Sequence, residues 1–482
     1  MASSSFSAQG PQTTFLSSSL APYEDGMMDS YAVDRHAFDT QLELSDNLCI
    51  LRGVHPSHTQ SLSTGMRAEH GVSTTTNILS WIAQCFVKEE QGEVFASALC
   101  VTAGAATLHI AKNSGLPCPV DQEFGAAFMA RVSSFVNRRL AGERNNDQQE
   151  VDEFVRMSLR HSWVRIKRKL RLIGTKMELP QEAAECQRYI SDLIDIWANF
   201  ISRRFKCEVT AAERSVRILR IANKLHRGGS VDVLKDIVFQ VIVGGFRVAT
   251  DEQAFNIRYK EFTHIIDCAQ MLLESDFLKA PLADDEWHTQ IGPTNVQCLL
   301  RLRRRLERIT LYRTGAEYFV RHGMSLFTKV TPSAQRVNVG LQWVGNVPEP
   351  GGPPFTLREY FRRGRRHTTM NYVPVKIAAS PVHIHPEVAL VHHLDALGIH
   401  AFRGAIGVSK APCWACVHYL ECLCRAAGLQ KQPWHLPETG KKVQPAWRVP
   451  KALPGAAVLD MDVVNCAVDY LVKRAREKRA KC

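Results

Sequence analysis

The sequence predicts an α+β multidomain chain in which a mostly α-helical N-terminal region leads into a C-terminal α/β unit. Three observations carry that expectation. Apolar side chains recur at helical spacing from about residue 46 to 330, the period changes to that of a strand near Pro332, and helix-like and strand-like segments alternate beyond it. With 482 residues, 45% of them apolar and 22% charged, the chain is long enough for about two or three domains and is neither wholly disordered nor fibrous.

Residues 1–45 are rich in Ser, Thr, Gln and Pro and lack an apolar period, which predicts a disordered Ser-rich tail that cannot offset its ordering entropy. The opening MASSSFSAQGPQTTFLSSSLAP has neither the basic start nor the apolar run of a secretory signal, and 14 cysteines without regular spacing fit a reduced set of thiols. An intracellular protein of the cytoplasm or nucleus is expected. The uncharged stretch Val94 to Ala111 contains Ser97, Thr102, Gly104, Thr107 and His109, too polar for a membrane span, and reads as a buried helix.

Residues 46–330 form the predicted helical region, whose role the sequence does not reveal. Trp163, Ile166, Leu170 and Ile173 share one face while Arg165, Lys167, Arg168, Lys169 and Arg171 occupy the rest. ERSVRILRIANKL, VDVLKDIVFQVIV and QCLLRLRRRLERITLYRTGAEYFVRHG are further helices, and no fixed-period repeat marks a solenoid. The α/β unit is placed at 333–460. Val337, Val339, Leu341 and Trp343 alternate as a strand; four prolines and two glycines make 347–354 a loop; a basic stretch runs from Arg358 to His367. A strand VPVKIAA, a helix HPEVALVHHLDAL, a strand FRGAIGVS and a helix PCWACVHYLECLCRAA follow, and residues 461–482 are a basic C-terminal tail.

Two motifs in this unit carry chemistry: His385-Pro386-Glu387 and Pro412-Cys413-Trp414-Ala415-Cys416. A helix over 386–397 climbs roughly 18 Å and a strand over 402–408 returns roughly 23 Å, so Cys413 comes back to the level of His385. Pro386 suits a first helical position, and Pro412 is expected to play the same part for the second helix. Cys413 and Cys416, three apart, then face one side of its first turn. Helix N-termini favour thiolate, and two thiolates with one imidazole give Zn²⁺ three ligands and leave a fourth position for water. In that arrangement Glu387 stands beside the metal without binding it, able to take a proton from water and deliver it to a leaving amine.

The pair of motifs resembles the signature of the zinc-dependent cytidine-deaminase-like superfamily, His-x-Glu followed by Pro-Cys-x-x-Cys. The long helical region, IHPEVALVHHL and GVSKAPCWACVHYLE look like the fungal nucleic-acid/nucleotide deaminase-like proteins. The resemblance implies a three-layer α/β/α deaminase-like C-terminal domain, zinc held by His385, Cys413 and Cys416, and Glu387 as the catalytic proton shuttle. It implies hydrolytic loss of ammonia at C4 of a cytosine or C6 of an adenine. The partner implied is a nucleobase-containing substrate, a nucleotide, DNA or RNA, with no membrane. TGKKVQPAW keeps Gly440, Lys441 and Trp447 of the fungal pattern in an altered setting, so no substrate-binding residue is assigned.

Plainer readings stand beside this one. A Cys-x-x-Cys is also half of a structural zinc site, but on one helix Cys424 lies eleven residues from Cys413, roughly 16 Å along the axis and beyond a shared tetrahedron. His383-Ile384-His385-Pro386 resembles the His-x-His-Pro of JAMM-type zinc isopeptidases, yet Leu394 and Leu397, neither able to bind a metal, occupy that motif's serine and aspartate positions. His392 and His393 read as helix-surface residues or neighbours of ligands. The formal charge of +12 favours phosphates, nucleic acid or an anionic membrane without proving any of them, and the basic runs at 301–308 and 473–481 read more readily as a charged helix face or a localisation tail than as a binding groove. The competing function is a non-catalytic interaction scaffold whose deaminase-like unit keeps zinc only for folding.

Overall fold

A strand that is buried on both faces loses the alternation that would betray it, and this is the case for the segment at the centre of the fold. The computed structural model describes residues 70–88, 93–102, 105–113, 115–143, 146–175, 180–205, 230–253, 255–283, 285–327, 336–345, 384–426 and 433–437. In chain order the elements are α1 (His70–Cys85), β1 (Phe95–Thr102), β2 (Ala105–Lys112), α2 (Pro119–Leu140), α3 (Asp147–His161), α4 (Trp163–Ile173) and α5 (Pro180–Phe205). After α6 (Ser230–Phe239) comes a π-helical turn, Gln240–Gly244, and then α7 (Gly245–Thr250), α8 (Phe255–Glu274), α9 (Asp276–Ala283), α10 (Asp285–His322) and α11 (Met324–Phe327). The described chain ends with β3 (Asn338–Val344), α12 (Pro386–Ala396), β4 (Gly407–Val408) and α13 (Trp414–Ala426).

The described residues are therefore mostly helical, with one small mixed sheet of four strands among them in the order β3-β2-β1-β4. β1 and β2 form an antiparallel hairpin from Phe95↔Lys112 to Thr102↔Ala105. β3 lies parallel to β2, and β4 antiparallel to β1 through Ala96↔Val408 and Ser97↔Gly407. The expected buried helix over Val94 to Ala111 is thus two strands. The first six residues of β1 are all buried, so no period-2 signal survives, and a continuous buried run reads equally as helix or strand.

The two faces of the sheet enter separate cores. Phe95, Leu99, Leu108 and Ile110 point into the large core built with the helical region. At its centre Trp81 meets Phe128, Phe154 and Phe319 with ring centroids 5.4–6.0 Å apart. Ala96, Ala98, Cys100 and Ala111 point the other way, into a smaller core with Val388, Val391 and Leu394 of α12 and Ala415 and Tyr419 of α13. Small residues on that face let α12 lie close to the strands.

Local chemistry sets the element boundaries. α4 buries Ile166, Leu170 and Ile173 as its 3.6-residue stripe requires. α2 begins with Pro119, and Asp121 accepts from the Cys118 amide at 3.1 Å. Within the range of α10, Gly292 stands at φ 76° just ahead of Pro293, so two helices meet there. Only Gly407–Val408 of the strand expected over 402–408 is strand; residues Phe402–Gly404 form a tight turn in which Arg403 has φ 57° and Gly404 φ 64°. Among the described residues no helix is long and apolar enough to cross a membrane. The expected tails at 1–45 and 461–482, the helix at 213–225, the loop at 347–354, the basic stretch at 358–367, the strand at 373–379 and the 439–447 segment lie outside the described residues.

Candidate metal centre

Proline has no amide to donate, so Pro386 opens α12 without loss, and the residue before it is held extended. His385 accordingly has φ −68° and ψ 146°, and its carbonyl accepts from the amides of Val388 and Ala389 at 3.0 Å each. The far end of α12 closes at Gly398, φ 64°, with the Ile399 amide donating to the Leu394 carbonyl at 2.9 Å. The second helix starts later than expected. It begins at Trp414, and Cys413, whose carbonyl accepts from the Val417 amide at 3.3 Å, stands in the cap position. Pro412 therefore lies ahead of the helix rather than at its first residue, and Cys413 sits where the unpaired N-terminal amides concentrate positive potential.

These two starts converge. The Nδ1 of His385 lies 3.5 Å from Cys413 Sγ and 3.2 Å from Cys416 Sγ, and the sulfurs are 3.4 Å apart. Of the His, Cys, Asp and Glu side chains described, these three form the group whose ligand atoms gather closely enough to hold one metal ion. Glu387 is buried, with Oε1 3.8 Å from His385 Nδ1. The structure thus brings together all four residues singled out from the sequence.

Charge is shared unequally in this cluster. Burial alone would raise the Cys413 thiol, but hydrogen bonds from Cys416 and His385 and the charge of the imidazole hold it well below the usual thiol range. Cys416 is driven the other way, by burial first and then by its neighbours Cys413 and Glu387. Burial would lower His385; its hydrogen bond to Cys413 and the charges of Cys413 and Glu387 outweigh that and raise it to about 9. Glu387 is raised above the ordinary carboxylate range, chiefly by burial. A buried thiolate next to an imidazolium is a group of donors that a divalent cation would satisfy by displacing protons.

The neighbouring histidines and cysteines have other partners. His392 Nε2 lies 2.9 Å from the Tyr419 hydroxyl and ties α12 to α13, and His393 faces His109 of β2 with ring centroids 5.8 Å apart. Cys424 Sγ accepts from the Trp434 amide at 3.5 Å and is not in the cluster. Sequence reasoning gave no sign of Ser409, which fixes the approach to Cys413: its amide donates to the Phe95 carbonyl and its hydroxyl accepts from the Phe95 amide, both at 2.9 Å.

Comparison with known families bears on the same stretch. Residues 384–451 match the family model of the OTT_1508-like deaminases. This family is cytidine-deaminase-like, and the matched stretch contains His385, Glu387, Cys413 and Cys416. The C-terminal part of the chain therefore carries a deaminase-like domain. No curated protein and no solved structure matched the chain.

Proposed function

We propose that this chain is a zinc-dependent hydrolase that deaminates a nucleobase, cytosine or adenine, within a nucleotide or nucleic acid. The observation that carries the reading is the convergence of one imidazole and two thiols, from two separate helix starts, beside a buried carboxylate. The donor set fits the metal. Zinc bonds of about 2.3 Å to sulfur and 2.0–2.1 Å to nitrogen, at tetrahedral angles, separate ligand atoms by about 3.5–3.8 Å, close to the 3.2–3.5 Å found here. Three protein ligands, rather than four, are the number associated with a catalytic site.

His385, Cys413 and Cys416 would hold the ion. Zinc, when bound, supplies a Lewis acid that makes water nucleophilic near neutral pH. Glu387 does the proton work. Its carboxylate, too buried to be a strong acid, accepts a proton from the attacking water and returns it to the ring nitrogen adjacent to the reacting carbon. A second proton passes by the same carboxyl to the amino group, which leaves as ammonia while the carbon becomes a carbonyl. His392, fixed by Tyr419, keeps α12 seated on α13 while this happens.

We read the domain itself as a three-layer α/β/α unit from about 333 to 460, completed by the β1–β2 hairpin. Support comes from the burial of both faces of the sheet. An intracellular setting and a nucleobase-containing partner belong to the same proposal. The test joins zinc quantification to mass spectrometry of nucleosides, nucleotides, single-stranded DNA and RNA, where deamination adds about one dalton. Glu387→Ala should keep zinc and lose turnover by on the order of 10²–10⁴-fold, while Cys413→Ala loses both. Zinc in the wild-type chain with no substrate turned over would favour the scaffold function instead.

A further inference from the structure

The helical body reaches the metal centre through a buried amide. Gln84, in the last turn of α1, is oriented by its partners so that its side-chain nitrogen donates to the Ser409 carbonyl at 2.7 Å. Its oxygen accepts from Nη2 of Arg165 at 3.0 Å and also from Nη1. Arg165 lies on α4 and is only 5% exposed, and it forms no salt bridge among the described residues. A buried guanidinium with no carboxylate partner among the described residues polarises this amide oxygen, which strengthens the amide's N–H as a donor.

The anchor for that amide is wide. Ser158 bonds Cys85 Sγ at 3.2 Å, His161 Nε2 lies 3.2 Å from the Phe86 carbonyl, and Ser162 donates to the Val87 carbonyl at 2.8 Å. With Arg165 on Gln84, side chains at helical spacing from α3 into α4 hold each of the four residues 84–87. Gln84 passes this hold to Ser409, already bonded to Phe95 on its other side. Four residues further along is Cys413.

We infer that Gln84 and Arg165 are positioning residues for the cysteine ligands: the helical body sets the affinity of the metal centre by fixing the Ser409 carbonyl ahead of Cys413. This rests on the zinc reading above. A pure packing role would be matched by any equal loss of stability; a positioning role is tied to the donor that faces Ser409.

The experiment measures zinc affinity of the full chain by competition with a chromogenic chelator, alongside thermal unfolding of the metal-free protein. Gln84→Glu keeps an acceptor for Arg165 but sets an oxygen against the Ser409 carbonyl, so zinc should bind about tenfold more weakly with little loss of melting temperature. Gln84→Leu should weaken zinc at least as much. Ile166→Val, a truncation in the same helix, should lower the melting temperature and leave zinc affinity unchanged. Affinity within twofold of wild type in Gln84→Glu, or an equal loss in Ile166→Val, overturns the inference alone. A wild-type chain that binds no zinc overturns the metal reading and this inference with it.

Discussion

His109 puts an acid limit on the fold that can be worked out in advance. It sits on β2 beneath α12, 1% exposed, with no hydrogen-bond partner for its Nδ1 among the described residues. Burial lowers its pKa from 6.5 to about 4, and the charge that His393 would carry adds to the effect. Facing it are His393 from α12 and Gln342 from β3, the latter 3.5 Å from His393 Nε2. The folded chain holds the ring neutral where the unfolded chain would protonate it. Its stability is therefore intact above about pH 6.5 and falls as pH drops towards 4, where the folded ring itself titrates. A shift of about 2.5 units at 1.36 kcal/mol per unit sets a ceiling of about 3 kcal/mol, of which about 2 kcal/mol is lost between pH 7 and pH 5. Urea unfolding at a series of pH values, for wild type and His109→Leu, isolates the term by difference. The wild type should lose about 2 kcal/mol more than the variant over that interval. Parallel curves would refute the burial argument.

Other perturbations probe the frame around the site. A Cβ on Gly407 would lie 2.1 Å from the Leu79 carbonyl carbon and 2.2 Å from the Ser80 nitrogen. Gly407→Ala must therefore push α1 off β4, and it should cost about 3 kcal/mol, read as a lower urea midpoint at unchanged slope; an unchanged midpoint would refute the close approach. Lys112 is buried between Glu93 at 2.7 Å and Asp121 at 2.8 Å. Asp121→Asn leaves the ammonium with one carboxylate and should destabilise by about 3 kcal/mol, read by thermal unfolding; an unchanged melting temperature would show that the ion pair is dispensable.

The site was more legible than the fold around it, for a physical reason. Pro386 and Pro412 mark helix starts locally, and His385, Glu387, Cys413 and Cys416 announce their chemistry by type and spacing within about thirty residues. What the hairpin does is not local. β1 carries no alternation because both its faces are buried, and its edge partner Gly407–Val408 is some three hundred residues away. The return strand was overestimated because FRGAIGVS is apolar enough for one, whereas Arg403 and Gly404 in left-handed conformations turn the chain first. Gln84 and Arg165 gave no signal at all, since an amide and a guanidinium on helices read as surface residues until their burial is known.

X-ray absorption at the zinc edge tests the centre of this account most directly. A ratio of one zinc per chain, with two sulfurs, one imidazole and one light atom around it, is the predicted result. A shell of four sulfurs, or the same spectrum from Cys413→Ala, would contradict it.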